Sequence, residues 1–179
     1  MKQTLKTSIH FLLISVFLFM ITSCHSGPER ALPILGPKEL SRKVVDGKEV
    51  PDTLYHTIKS FEFINQEGKL ISETTFKDKI YVCDFIFTTC PSICPLMSKQ
   101  MQRVQQAFAE EDEVYFLSHT VDPVKDSVPV LKNYSERYQA NNEKWHFVTG
   151  DKEELYEMGL KNYLVSMDEN EVAPGGFLH

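Results

Sequence analysis

The apolar residues of this chain change rhythm several times, and each rhythm predicts a different element. Ile9 to Ile21 is an almost unbroken apolar run that follows Lys2 and Lys6 and ends in Ile21-Thr22-Ser23-Cys24. A bilayer span needs about 20 apolar residues. This run is shorter, with the basic start and small-residue end of an export signal. The cysteine at the cleavage point predicts a lipoprotein signal over residues 1–23, with Cys24 lipidated as the mature N-terminus. Residues 24–40 contain Gly27, Pro28, Pro33, Gly36 and Pro37 without apolar periodicity and are expected to be a tether. The folded domain is expected over 41–179.

Within that domain, Val44-Val45-Asp46-Gly47-Lys48-Glu49-Val50 reads as strand, turn and strand. Phe61 to Ile64 and Leu70-Ile71 flank Asn65-Gln66-Glu67-Gly68, a hairpin signal. Ile80 to Phe87 is a nearly continuous run of β-formers, the pattern of a central strand covered on both faces. From Pro95 to Glu110 the period switches. Met97, Met101, Val104 and Phe108, at steps of four, three and four, mark one helical face. Val114 to Val121 returns to strand. Asp126 or Ser127 caps a helix with Pro129 in its first turn, running to about Tyr138. Trp145 to Val148 is a short strand, and Asp151 with Glu154 opens a helix to about Tyr163. The order β-β-β-α-β-α-β-α predicts an α/β fold with helices crossing between largely parallel strands. Leu164 to His179 is expected to be loop, although Gly175-Gly176 before Phe177-Leu178 announces a further strand, so the chain is expected to be incomplete.

Charge narrows the function classes. The 179 residues carry 19 basic and 25 acidic side chains, a net −6. Removing residues 1–23 takes away Lys2 and Lys6 and no acid, which moves the balance to −8. A basic nucleic-acid-binding surface is excluded by that balance. Aromatic residues at 11% and apolar residues at 42% exclude long-range disorder. Export and lipid anchoring place the domain at a membrane, in a periplasmic or other extracytoplasmic space where disulfides form. With Cys24 lipidated, Cys83, Cys90 and Cys94 remain.

Phe87-Thr88-Thr89-Cys90-Pro91-Ser92-Ile93-Cys94-Pro95 joins a strand to the first long helix, where open α/β sheets carry their sites. Thiols four residues apart meet on one side if the chain takes a helical turn, at ~6 Å between Cα atoms. A helix N-terminus favours the thiolate. Thiolates select Cu(I), zinc or cluster iron over hard cations. A stapling disulfide there would close only five residues and gain little. Cys83 lies inside the apolar run and is expected to be a core thiol. For a third ligand, His56 and His146 adjoin exposed-looking stretches and are expected at the surface. His119, at the end of a strand on the same sheet edge as Cys90, and His179, in the Gly-rich end, remain equal candidates by chemistry. Met97 and Met101 are assigned to packing, and Asp122 to the Asp122-Pro123 turn.

These segments resemble the Sco/SenC proteins over roughly Leu32 to His179. The likeness rests on the Cys90–Pro95 segment and its flanks and on Val121-Asp122-Pro123-Val124-Lys125-Asp126-Ser127. Trp145-His146-Phe147-Val148-Thr149-Gly150 and Phe177-Leu178-His179 complete it. The resemblance implies a membrane-anchored, thioredoxin-like copper protein that helps assemble the binuclear copper centre of cytochrome c oxidase. Its copper ligands would be Cys90, Cys94 and His179. Its partners would be the oxidase copper-centre subunit and thiol reductants or other copper carriers. Two departures stand out. Ser92 occupies a position often held by Asp in that family, and the family's closing hairpin and last helix are missing after His179. His119 stands where many relatives are less polar, and is kept as a substitute ligand or a neighbour of the site.

Besides copper delivery, the same residues allow a thiol–disulfide oxidoreductase, in which Cys90 attacks a partner's disulfide and Cys94 resolves it. A peroxiredoxin-like peroxidase fits less well, because Phe87 stands where such sites place threonine. A purely structural lipoprotein is the blandest reading.

Overall fold

A computed structural model describes residues 32–167 and the backbone of 168–169 and 177–178. The expected signal, Cys24 and the candidate ligand His179 lie outside the described residues. One compact unit spans Gly36–His179, and all that follows belongs to it.

The unit begins with a two-stranded ribbon, β1 (Lys38–Val45) and β2 (Lys48–Tyr55). Asp46 and Gly47 both take positive φ, 50° and 74°, which gives the two-residue turn that matches strand twist. The ribbon starts three residues inside the segment expected to be tether.

Five strands form the main sheet: β3 (Glu62–Asn65), β4 (Leu70–Ser72), β5 (Ile80–Ile86), β6 (Val114–Thr120) and β7 (Trp145–Thr149). Their order is β4-β3-β7-β6-β5. β5, β6 and β7 run parallel, while β3 is antiparallel to both β7 and β4. Helices α1 (Ile93–Ala107) and α2 (Val128–Arg137) make the parallel crossovers. A 3₁₀ turn, Glu73–Phe76, precedes β5. After β7 comes α3 (Lys152–Glu157), which continues as a π turn, Met158–Asn162. Asp151 caps α3 as expected, its carboxylate accepting the N–H groups of Glu153 and Glu154. A two-residue pair, β8 (Asp168–Glu169) and β9 (Phe177–Leu178), ends the description and includes the strand announced by Gly175-Gly176.

The sheet separates two apolar clusters. One packs Ile86, Phe87, Phe116, Trp145 and Phe147 with Met101, Leu131 and Tyr134 of α1 and α2. The other packs Phe61, Phe63, Leu117 and Val148 with Phe76, Leu155 and Met158. Fully burying such a side chain is worth about 1.5–3 kcal/mol. Gln66, also fully buried, does strand work with its side chain: Nε2 donates to the Trp145 carbonyl (2.8 Å) and Oε1 accepts from the Phe147 N–H (2.8 Å).

Four expectations need correction. β5 is an edge strand among the described residues, not a central one, and Ile80 is 67% exposed. Its buried C-terminal end, Phe85 and Ile86, and Phe87 just after it are what the apolar run reflects. The buried face of α1 is Cys94, Ser98 and Met101, while Phe108 is exposed and Met97 lines a cleft beside β5 with Cys83. Ser98 is tolerated there because its hydroxyl bonds the Tyr134 hydroxyl (2.9 Å). His146 is buried, because β7 is the middle strand of the five; its Nδ1 meets the Asn65 amide (3.3 Å). His56 is half-buried, with Nε2 on the Asn162 carbonyl (2.7 Å).

Candidate functional site

The chain leaves the C-terminal end of β5 and turns sharply, the Cys90 N–H donating to the Phe87 carbonyl (3.1 Å). This turn sets Cys90 at the start of α1. Ser92 is the N-cap residue but makes no capping bond through its side chain. The thiol of Cys90 takes that place, accepting the N–H of Cys94 (3.4 Å), one of the donors a helix leaves unpaired in its first turn. Cys90 is 6% exposed and Cys94 fully buried, and neither is in a disulfide. Two soft donors therefore lie one helical turn apart, with Cys90 at the surface side of the pair.

Their environments pull the two thiols apart. Burial works to raise the Cys90 pKa, yet hydrogen bonds from the Cys94 and Ser92 backbones and contacts with both side chains outweigh it. The net shift is below the usual thiol range. Cys94 is pushed up to about 12, first by burial and then by the hydrogen bond and charge of Cys90, against a lowering backbone bond from Phe87. Asp84, on β5, adds a smaller push to Cys94. Burial lifts Asp84 itself to about 6; its Oδ1 accepts the Ser118 hydroxyl, and Ser118 Oγ accepts the Trp145 Nε1–H (2.9 Å).

The loop before Cys90 is held from within. Asp126, fully buried between β6 and α2, accepts the Thr88 N–H (3.1 Å), the Thr88 hydroxyl and the Thr120 hydroxyl (2.6 Å). By its position in the chain Asp126 reads as a helix cap; three donors arriving from two other segments are visible only in the fold. Asp122 serves its turn as expected: its carbonyl accepts the N–H groups of Lys125 and Asp126, and its carboxylate pairs with Lys125 (3.0 Å).

His119 is not brought to the thiols. Its ring stacks on Phe85 (5.0 Å, 14°) and meets Phe63, Tyr163 and Phe61 at 5.4, 5.5 and 6.0 Å. Phe61 and Phe63 belong to the second cluster and Phe85 to the one that holds Cys90 and Cys94, so His119 sits among rings of both. Neither ring nitrogen has a hydrogen-bond partner, and burial holds the ring neutral, with a pKa near 3. Among the described residues no set of three His, Cys, Asp or Glu side chains converges on a metal position. The thiol pair offers two soft sulfur donors, a type that suits Cu(I), zinc or cluster iron rather than hard cations.

The family model SCO1/SenC matches residues 50–178, which include the whole cysteine loop and both parallel crossovers. A SCO1 protein homolog of Bacillus subtilis is 35% identical over 119 residues, covering 65% of this chain and 62% of the relative. The chain thus spans less than two thirds of that relative's length. A SCO1/SenC family lipoprotein from Bacillus anthracis superposes with a TM-score of 0.64 at 31% identity, covering 69% of this chain and 74% of the other. BsSco, a member of the Sco family of cytochrome c oxidase assembly proteins in which a disulfide switch was identified, gives 0.59 at 34%, covering 65% and 69%. Arabidopsis thaliana ScoI, solved with copper bound, gives 0.57 at 25%, covering 67% and 73%. By its sequence match and by its thioredoxin-like α/β fold, this chain belongs to the SCO1/SenC family.

Proposed function

We propose that this protein carries copper on Cys90 and Cys94, with His179 as third ligand, and delivers it to, or prepares, the binuclear copper centre of cytochrome c oxidase. The observation that carries the reading is the pair of reduced thiols one helical turn apart at a helix start, in a chain of a family with copper-bound members. Copper is cargo here. Soft sulfur donors suit Cu(I), and a site at the surface end of α1 lets a partner's ligands replace them one at a time. The domain works outside the cytoplasm, held to a membrane through lipid on Cys24 after removal of residues 1–23. A lipoprotein relative of the same family supports that placement. Among the described residues no helix is long and apolar enough to cross a membrane.

A chromogenic Cu(I) chelator in competition with the protein tests the reading. The chain should take one Cu(I), the Cys90→Ser/Cys94→Ser variant none, and His179→Ala should bind at least about tenfold more weakly, the scale of one lost strong ligand contact. Tight one-to-one binding by the double serine variant would sink it.

The second reading is thiol–disulfide exchange, and the observation favouring it is the asymmetry of the pair: Cys90 is the less deeply buried thiol and accepts the Cys94 N–H, while Cys94 is fully buried. Reduction of a copper-site cysteine pair by the His179→Ala variant at the wild-type rate would favour exchange over delivery. The roles are compatible, because a cysteine pair must be reduced before it is filled.

A further inference from the structure

The cysteine loop has its own anchor, and it is a buried carboxylate. Asp126 is fully buried, and it has no ion-pair partner among the described residues. An unpaired buried carboxylate is costly unless hydrogen bonds surround it. Burial raises its pKa, and the bonds from Thr120 and Thr88 act against that rise. Those bonds come from two places. Thr120, at the end of β6, donates its hydroxyl to Oδ2 (2.6 Å), while Thr88 donates its hydroxyl to Oδ1 and its backbone N–H to Oδ2 (3.1 Å). Asp126 in turn donates its own N–H to the Asp122 carbonyl (2.9 Å), and Thr120 Oγ1 accepts the Asp122 N–H (3.0 Å).

One side chain therefore ties the loop after β5, the end of β6 and the turn into α2. Thr88 is two residues before Cys90 and sits inside the turn closed by the Cys90 N–H and the Phe87 carbonyl. Three donors on one group require acceptors only, which a carboxylate supplies and an amide does not. Swapping in asparagine turns one acceptor position into a donor facing another donor.

We propose that Asp126 is the positioning residue of the thiol pair: through Thr88 it fixes the turn that aims Cys90 Sγ at the Cys94 N–H. It touches neither thiol and acts only through the loop. The inference rests on Cys90 and Cys94 being the working site, and it extends that reading to the residue that sets their geometry.

The test compares the full chain with Asp126→Asn, Thr88→Val and Thr88→Ser, and with Leu155→Ala as a control for lost stability in the opposite cluster. Two quantities are read beside the melting temperature: the ratio of alkylation rates at Cys90 and Cys94 by mass spectrometry at one pH, and Cu(I) affinity by chelator competition. Asp126→Asn and Thr88→Val should bring the alkylation ratio towards unity and weaken Cu(I) binding about tenfold, the scale of one lost charge-assisted hydrogen bond. Thr88→Ser keeps the hydroxyl and should keep both quantities. Leu155→Ala should lower the melting temperature and leave the ratio unchanged. If Asp126→Asn does not fold, Thr88→Val alone decides. A wild-type alkylation ratio in Thr88→Val, or one that shifts equally in Leu155→Ala, overturns the proposal. Should the wild type bind no copper, the copper reading fails while the alkylation ratio still tests the anchor.

Discussion

His119 shows how far one buried ring can depart from what its residue type announces. A histidine near a cysteine pair reads as a ligand, yet here it is one of a set of packed aromatic rings, and both nitrogens go unpaired. Replacing it with phenylalanine removes two unsatisfied polar atoms and should add about 1 kcal/mol of stability. The pH dependence has a definite sign. The pKa values of His119 and His146 are held down by burial, to about 3 and about 4, so the unfolded chain binds more protons than the native one below the ordinary value of about 6.5. Their share of stability is complete above that pH and is lost as pH falls towards 4 and 3. Asp84 has the opposite sign: raised to about 6, it favours the native state at low pH and costs stability as pH rises through 6. His119→Phe should therefore flatten the loss of stability between pH 6.5 and 4, by up to about 1.4 kcal/mol per pH unit. Urea midpoints at pH 7 and pH 5 check this, and an unchanged difference would count against it. Ser118 carries a second residue-scale expectation. It donates to Asp84 and accepts from Trp145 in a fully buried site, so Ser118→Ala should cost about 2–3 kcal/mol, measured by urea unfolding at pH 7.

Among the elements, those with local punctuation were legible. The Asp46-Gly47 turn, the Asp151 cap of α3 and the strand-to-helix switch at Cys90 are all set by neighbours a few residues away. Asp151→Ala should remove two capping bonds and cost about 1 kcal/mol by thermal melting, an effect that Asp151→Ser should largely reverse. The face of α1 was misread because one of its buried positions is Ser98, polar by type and satisfied by a tyrosine 36 residues later. Apolar periodicity has no way to register a partner that distant. β5 was misread for a related reason. Its composition describes how each face is covered, whereas its place at the edge is a property of strand order.

For the molecule as a whole, fold class and the placing of Cys90 and Cys94 at one strand-to-helix junction were visible in the sequence, since such a junction is a local pattern. What converges from afar was not. Asp126 looked like a cap and proves to hold Thr88 and Thr120, while His146 looked exposed until β7 took the middle of the sheet. Copper on the thiol pair is tested most directly by ligand counting with X-ray absorption on the Cu(I)-loaded chain. Two sulfur scatterers and one nitrogen are predicted, the nitrogen disappearing in His179→Ala. Copper bound without sulfur, or bound unchanged after Cys90 and Cys94 become serine, would contradict the account.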